Sequence, residues 1–285
     1  MKTLYTIFSS LLLVLLYSGC DQVTGDYAQQ SSIHRDTATN VRKILIEDYT
    51  GFKCGNCPAA GEIATSLEEK YPGRVMIMEV HAGFFATPDS KHTYDFRTPV
   101  GDELDQFFGI SKVGNPNGMI DRINLNGSQI IPPGSWDAAI QSLLDSVPEM
   151  NLKLTAYYSQ GNGEISVDAD VTYLSGGGPN DYLCVYIIED SIVQYQTDYR
   201  KNPIDIPNYV HNHVLRASFN GTWGEQLYNG TIKAGSVIRK SYSFKIPEGS
   251  DWRLNKLKIL AFVNDYGKTY KIFQAEETSR LILTF

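Results

Sequence analysis

Cys54 and Cys57 stand three residues apart in the stretch YTGFKCGNCPAAG, residues 49–61. Two thiols at that spacing can exchange with a disulfide of another protein, help clip a metal, or close on each other as a staple. Exchange needs a stabilised thiolate, because the thiolate and not the thiol is the nucleophile. A zinc clip needs four ligands, usually two such pairs, and with Cys20 in the amino-terminal targeting segment only Cys184 and scattered histidines remain to complete one. A c-type haem needs histidine directly after the second cysteine, where this chain has Pro58. Exchange and staple stay open.

The elements around the pair favour thiolate chemistry. Residues 43–49 are apolar and β-rich and end at Gly51, which predicts a strand. From Cys57 to Tyr71, Ala60, Ile63, Ala64 and Leu67 recur at helical spacing, and Tyr71-Pro72-Gly73 stops the helix. Cys54 is thereby expected at the helix cap and Cys57 on the same turn. Free backbone N–H groups and the helix dipole lower a thiol's pKa there. Cys54 would attack, and Cys57 would resolve the mixed disulfide. Lys53 adds a positive charge beside the nucleophile.

Downstream, residues 75–81 predict a second buried strand, and residues 83–97 an aromatic-rich loop. Thr98 and Pro99 open a helix as cap and first helical residue. Residues 118–123 predict a third strand, an Asn-Gly turn follows at 126–127, and Trp136, Ile140, Leu143, Leu144 and Val147 form one stripe of a last helix. Strands alternating with helices imply an α/β layer with parallel pairings. A CxxC at the first strand–helix junction makes residues 41–148 resemble the thioredoxin fold. That resemblance assigns Asp48, six residues before Cys54, as the buried proton relay, with Glu47 as its substitute if the register slips by one. It assigns Pro116, in VGNPNG, as the cis-proline that docks a substrate chain. The motif departs from the usual pattern at Lys53 (commonly aromatic), at Gly55-Asn56 (commonly Gly-Pro) and at Pro58.

Beyond Pro148 the pattern becomes alternating. Leu152, Leu154, Ala156 and Tyr158, then Ile165, Val167, Ala169, Val171 and Tyr173, begin a series of short strands. Residues 149–285 therefore predict an all-β, immunoglobulin-like antiparallel sandwich. Cys184, in an apolar strand, reads as a buried inert thiol. Tyr209, His211 and His213 would point one way along an extended segment. Two such histidines can hold a metal if further ligands join them. No carboxylate or thiol stands nearby in sequence to do so, and hydrogen bonding or packing at a domain interface is the simpler expectation. No metal and no cofactor is therefore expected. The segment also offers Arg216 and Trp223 to a ligand surface.

The amino end reads as a targeting segment. Lys2 precedes the apolar core Leu11–Leu16, too short for a membrane span, and Tyr17-Ser18-Gly19-Cys20 resembles a lipobox, with Tyr17 where leucine is usual. The expectation is a signal peptide over 1–19, lipidation at Cys20 and a polar tether over 20–40. An ordinary secretory signal is the alternative. Export also allows disulfides to persist. The chain carries 25 basic and 32 acidic residues, a net −7, which argues against nucleic-acid binding.

Taken together, YTGFKCGNCP, VHAGFFATP, YDFRTPVGDELDQFFGI, GNPNG and YVHNHVLRASFNGTWGE resemble the twenty-eight-kilodalton outer-membrane lipoprotein family of Gram-negative bacteria. The resemblance implies outer-membrane attachment through a lipid anchor and a thioredoxin-like half followed by a β half. Two functions are compatible with it. One is a thiol-disulfide oxidoreductase whose partners are exported protein thiols and disulfides or an envelope reductant. The other is a surface binding or adhesion protein whose Cys54–Cys57 disulfide is structural, with the aromatic loops at 83–97 and 209–223 doing the binding.

Overall fold

A computed structural model describes residues 40–284. The signal segment, Cys20 and almost all of the tether lie outside the described residues. The structure is mostly β, with a few helices and two principal sheets.

Strand β1 (Ile44–Thr50) is buried along its whole length, Glu47 and Asp48 included, because both faces of the sheet are covered there. It pairs in parallel with β2 (Val75–His81) and antiparallel with β3 (Asn117–Ile120). Helix α1 (Cys57–Lys70) joins β1 to β2. Ala60, Ala64 and Leu67 face the sheet, while Ile63 is left exposed at the edge of the stripe. Helix α2 (Pro99–Phe108) is capped as its sequence predicts, the Thr98 hydroxyl accepting from Gly101 N–H at 3.0 Å. A short α3 (Ile110–Val113) follows, and α4 (Trp136–Leu144) buries Trp136, Ala139 and Ile140. Val147, the last residue of the predicted stripe, lies beyond the helix end and is exposed. Helices α1 and α4 cover one face of β1–β3, and α2 contributes Val100 and Leu104 to the core on the other.

The second half supplies β4 (Met150–Ser159), β5 (Glu164–Tyr173), β6 (Asp181–Glu189), β7 (Ile192–Thr197), β8 (Asp205–His211), β9 (Val214–Ser218), β10 (Glu225–Gln226), β11 (Val237–Lys245), β12 (Leu257–Asp265), β13 (Ile272–Glu277) and β14 (Ile282–Thr284). The expected self-contained antiparallel sandwich does not form. The first sheet runs in the order β13-β12-β6-β9-β2-β1-β3, so the α/β layer continues straight into the β half. The seam is the parallel pairing of β2 with β9 at Glu79 and Val214. A second sheet, β11-β5-β4-β14, covers the other face of β6 and β12. The alternating residues Leu152, Ala156, Ile165, Val167, Ala169, Val171 and Tyr173 all point into that second core. Sheet-on-sheet packing was therefore legible, and the sharing of one sheet with the α/β layer was not. Strands β7 and β8 form a separate hairpin.

Candidate functional site

Strand β1 delivers the chain to a tight corner. A Cβ at Gly51 would lie 2.5 Å from the Phe85 carbonyl carbon, so only glycine fits against that backbone. Cys54 N–H then bonds to Gly51 C=O at 2.9 Å, and Cys57 N–H to Cys54 C=O at 3.2 Å. The helix cap is Asn56, and Cys57 is the first helical residue. This corrects the expected placement of Cys54 at the cap. Pro58 has no N–H to donate and suits the first turn, where none is needed, so the helix starts at Cys57 and leaves Cys54 in the preceding turn. The free N–H groups thus gather beyond Cys54, and the dipole's influence fades quickly outside the first turn.

Cys54 and Cys57 form a disulfide, with a Cα–Cα separation of 5.4 Å. Each cysteine is only 3 % exposed. The reason is the β7–β8 hairpin, which lies across the loop. Thr197 N–H donates to Phe52 C=O at 2.8 Å and Tyr199 N–H to Gly55 C=O at 2.9 Å. The buried Gln196 amide donates to Cys54 C=O at 3.0 Å and to Thr197 C=O at 2.8 Å. Gly55 lies flat against the Tyr199 ring, and a Cβ there would overlap it. Arg200 ties the hairpin to α1 through Glu62, at 2.6 and 2.8 Å. Lys53, expected beside a thiolate, places its ammonium over the rings of Phe84 and Phe52, at 5.0 and 5.6 Å.

Asp48 is 1 % exposed, and burial pushes its carboxyl up to about 7. Its Oδ1 has no hydrogen-bond partner. Across the β1–β2 pair it stands in register with Glu79. Glu47 cannot substitute for it. The strand alternation turns Glu47 to the opposite face, where Arg122 grips it with two bonds of 2.8 Å and both side chains are fully buried. The Asn115–Pro116 peptide is cis, and the Asn115 amide reaches Thr50 C=O at 3.3 Å, so the Pro116 loop sits beside the end of β1. Cys184 is the buried free thiol expected, and burial raises its pKa to about 12.

The histidine reading needs correction. His211 ends β8, but His213 adopts φ +57° in the turn before β9, which breaks the extended register and sends the two rings apart. His213 faces Asp190 and Glu68, at 3.6 and 3.9 Å. His211 meets Glu79 and His81, and one donor atom from each of the three lies within 4.8 Å of the others. The sequence did carry a sign of this. Glu79 and His81 are two polar residues, two apart, inside the apolar run VMIMEVH. Their partner is 130 residues away, and nothing local announces it.

The aromatic loop is also different in kind from the expectation. Phe96 and Phe52 are buried, His81 stacks on Phe96 at 4.3 Å, and His92 stacks on Tyr195 at 3.6 Å. The loop cements the hairpin to the sheet and leaves chiefly Phe84 outside. Arg216 is held by Glu189 and Asp251. Trp223 lies elsewhere, in a shallow hollow of about 320 Å³ with Glu103, Phe107, Tyr266 and Tyr270.

The family model described as outer membrane protein Omp28 matches residues 102–278, more than half of the 285-residue chain. The chain belongs to that family. Membership locates the protein at the outer membrane. The matched stretch begins after the disulfide, so it spans the β half and leaves out the CxxC. Among solved structures, HBP35 of Porphyromonas gingivalis is similar over 86 % of this chain and 78 % of its own, at 16 % identity and a TM-score of 0.61, which shows a shared fold. A domain of the outer membrane lipoprotein Omp28 from the same organism is 21 % identical, over 49 % of this chain and 93 % of that one, with a TM-score of 0.33. No curated protein matches this chain.

Proposed function

We propose that this Omp28-family protein is a non-enzymatic binding lipoprotein of the outer membrane, anchored through Cys20, and that its Cys54–Cys57 disulfide is a structural staple on a modified thioredoxin-like layer. The observation that carries the reading is the cover over the disulfide. An exchanging sulfur must be reached in line by an incoming thiolate, and here both sulfurs lie beneath a hairpin fixed to the loop by backbone bonds, an amide bridge and an Arg–Glu pair. The placement of Cys54 ahead of the helix cap supports the same reading, because it removes much of the thiolate's stabilisation.

In this reading Asp48 and Pro116 keep thioredoxin-like positions without a thiol reaction to serve. The binding surface is assigned to the aromatic hollow of Phe107, Trp223, Tyr266 and Tyr270. Half of the Phe107 surface is exposed there, against the part-buried rings of Trp223 and Tyr270. Insulin reduction with dithiothreitol as the electron source tests the proposal. The wild-type protein is expected to match its Cys54→Ser/Cys57→Ser variant. Turnover clearly above that variant would restore the oxidoreductase, working on exported protein disulfides, as the better reading.

A further inference from the structure

We propose that Glu79, His81 and His211 form a binding site for one divalent transition-metal ion, with zinc the best fit, between β2 and the end of β8. This goes beyond the staple-and-binding reading and does not depend on it.

Two imidazoles and a carboxylate are a donor set that zinc takes readily, leaving one position for water or a further ligand. The spacing suits it. Glu79 Oε2 and His81 Nε2 are 3.8 Å apart, and a donor of His211 completes a set whose members lie within 4.8 Å of one another. Tetrahedral bonds of about 2.1 Å place ligand atoms roughly 3.4 Å apart, so small side-chain rotations close the set.

A second observation points to a ligand. The His81 side chain is fully buried, and neither of its ring nitrogens has a hydrogen-bond partner. Buried polar groups are ordinarily satisfied, and leaving one bare is costly. Its ring is already oriented by the Phe96 stack, with the His211 ring 5.5 Å away. His211 receives the orienting contact that ligating histidines usually have, its Nε2 lying 3.3 Å from Tyr195 C=O.

Glu79 also has a second carboxyl beside it. Asp48 faces Glu79 across the strand pair with an oxygen unpartnered. Buried carboxylates are paired with cations or coordinate metals, since isolated burial is expensive.

The test uses the full-length protein purified in detergent, stripped with EDTA and titrated with zinc chloride by calorimetry, then with cobalt(II) followed by visible absorption. One zinc per chain is expected, with cobalt giving the intense bands of a four-coordinate nitrogen–oxygen site. His81→Ala and His211→Ala should each weaken zinc by at least about 100-fold, since even outer-shell partners of a metal are worth 10–100-fold. His34→Ala, a histidine outside the set, should leave binding unchanged. If His81→Ala fails to fold by circular dichroism, Glu79→Gln and His211→Asn decide by the same readouts. Zinc uptake that survives these substitutions, or no stoichiometric uptake by the wild type, would overturn the site.

Discussion

Replacing Gln196 with alanine should open the disulfide to reductant without removing either sulfur. The Gln196 side chain is 2 % exposed and bridges the hairpin to the CxxC loop through Cys54 C=O at 3.0 Å, while also bonding Thr197 C=O at 2.8 Å. Losing the amide leaves buried carbonyl capacity unmet, which costs about 1–3 kcal/mol. Cys54 C=O keeps the bond from Cys57 N–H, so the lower part of that range, about 1–2 kcal/mol, applies. That cost falls on the closed hairpin and not on the opened one, where water replaces the amide. The opened population should therefore rise by roughly 5–30-fold. When closing is faster than attack, the reduction rate follows that population. Fixed dithiothreitol, timed quenching with a maleimide and intact-mass detection of tagged thiols would measure it. Gln196→Ala should be reduced roughly 5–30-fold faster than wild type, while Val193→Ala, at an exposed position of the same strand, should match wild type. A wild-type protein reduced as fast as an unshielded peptide disulfide, or no acceleration in Gln196→Ala, would refute the shielding.

Two further outcomes follow from buried charge. Arg122→Met would strand the fully buried Glu47 carboxylate, and removing one partner of such a pair costs about 3–5 kcal/mol, read as a lower urea midpoint at unchanged slope. Burial holds the Glu277 carboxyl up at about 7 from an ordinary 4.5 against the attraction of Lys258, with smaller repulsions from Glu68, Asp190 and Glu276. The folded state therefore binds the extra proton between those values, and this group's contribution to stability falls as pH rises from about 4.5 through 7. Glu277→Gln should accordingly gain about 3 kcal/mol over wild type at pH 8 and lose that advantage below about pH 4.5, measured by urea unfolding at each pH.

Local chemistry was the legible part of this chain. The apolar run at 75–81 and the Thr98–Pro99 start each announce an element from within a few residues. Asn126 and Gly127 both adopt positive φ, as the turn between Leu125 and Ser128 demands. What stayed hidden depends on distance along the sequence. The seam between β2 and β9 is one register pair between residues 79 and 214, and no periodicity encodes it. The cover over the disulfide is made by residues 196–200 of the hairpin, some 140 residues beyond the pair, and nothing near the CxxC announces it. His213 turned away from His211 because of a single positive φ, a conformation uncommon for residues with a side chain. Pro58 was visible as a departure from the usual motif, and its effect on where α1 begins decides the setting of Cys54.

The staple reading is tested most directly by the reduction potential of the Cys54–Cys57 pair in the full-length protein. Equilibration against dithiothreitol and glutathione buffers, with mass tagging of free thiols, would give it. The staple reading predicts a pair that stays oxidised to below about −300 mV, in the range of structural disulfides. A potential between roughly −270 and −120 mV, with rapid exchange, is that of working oxidoreductases and would contradict the account.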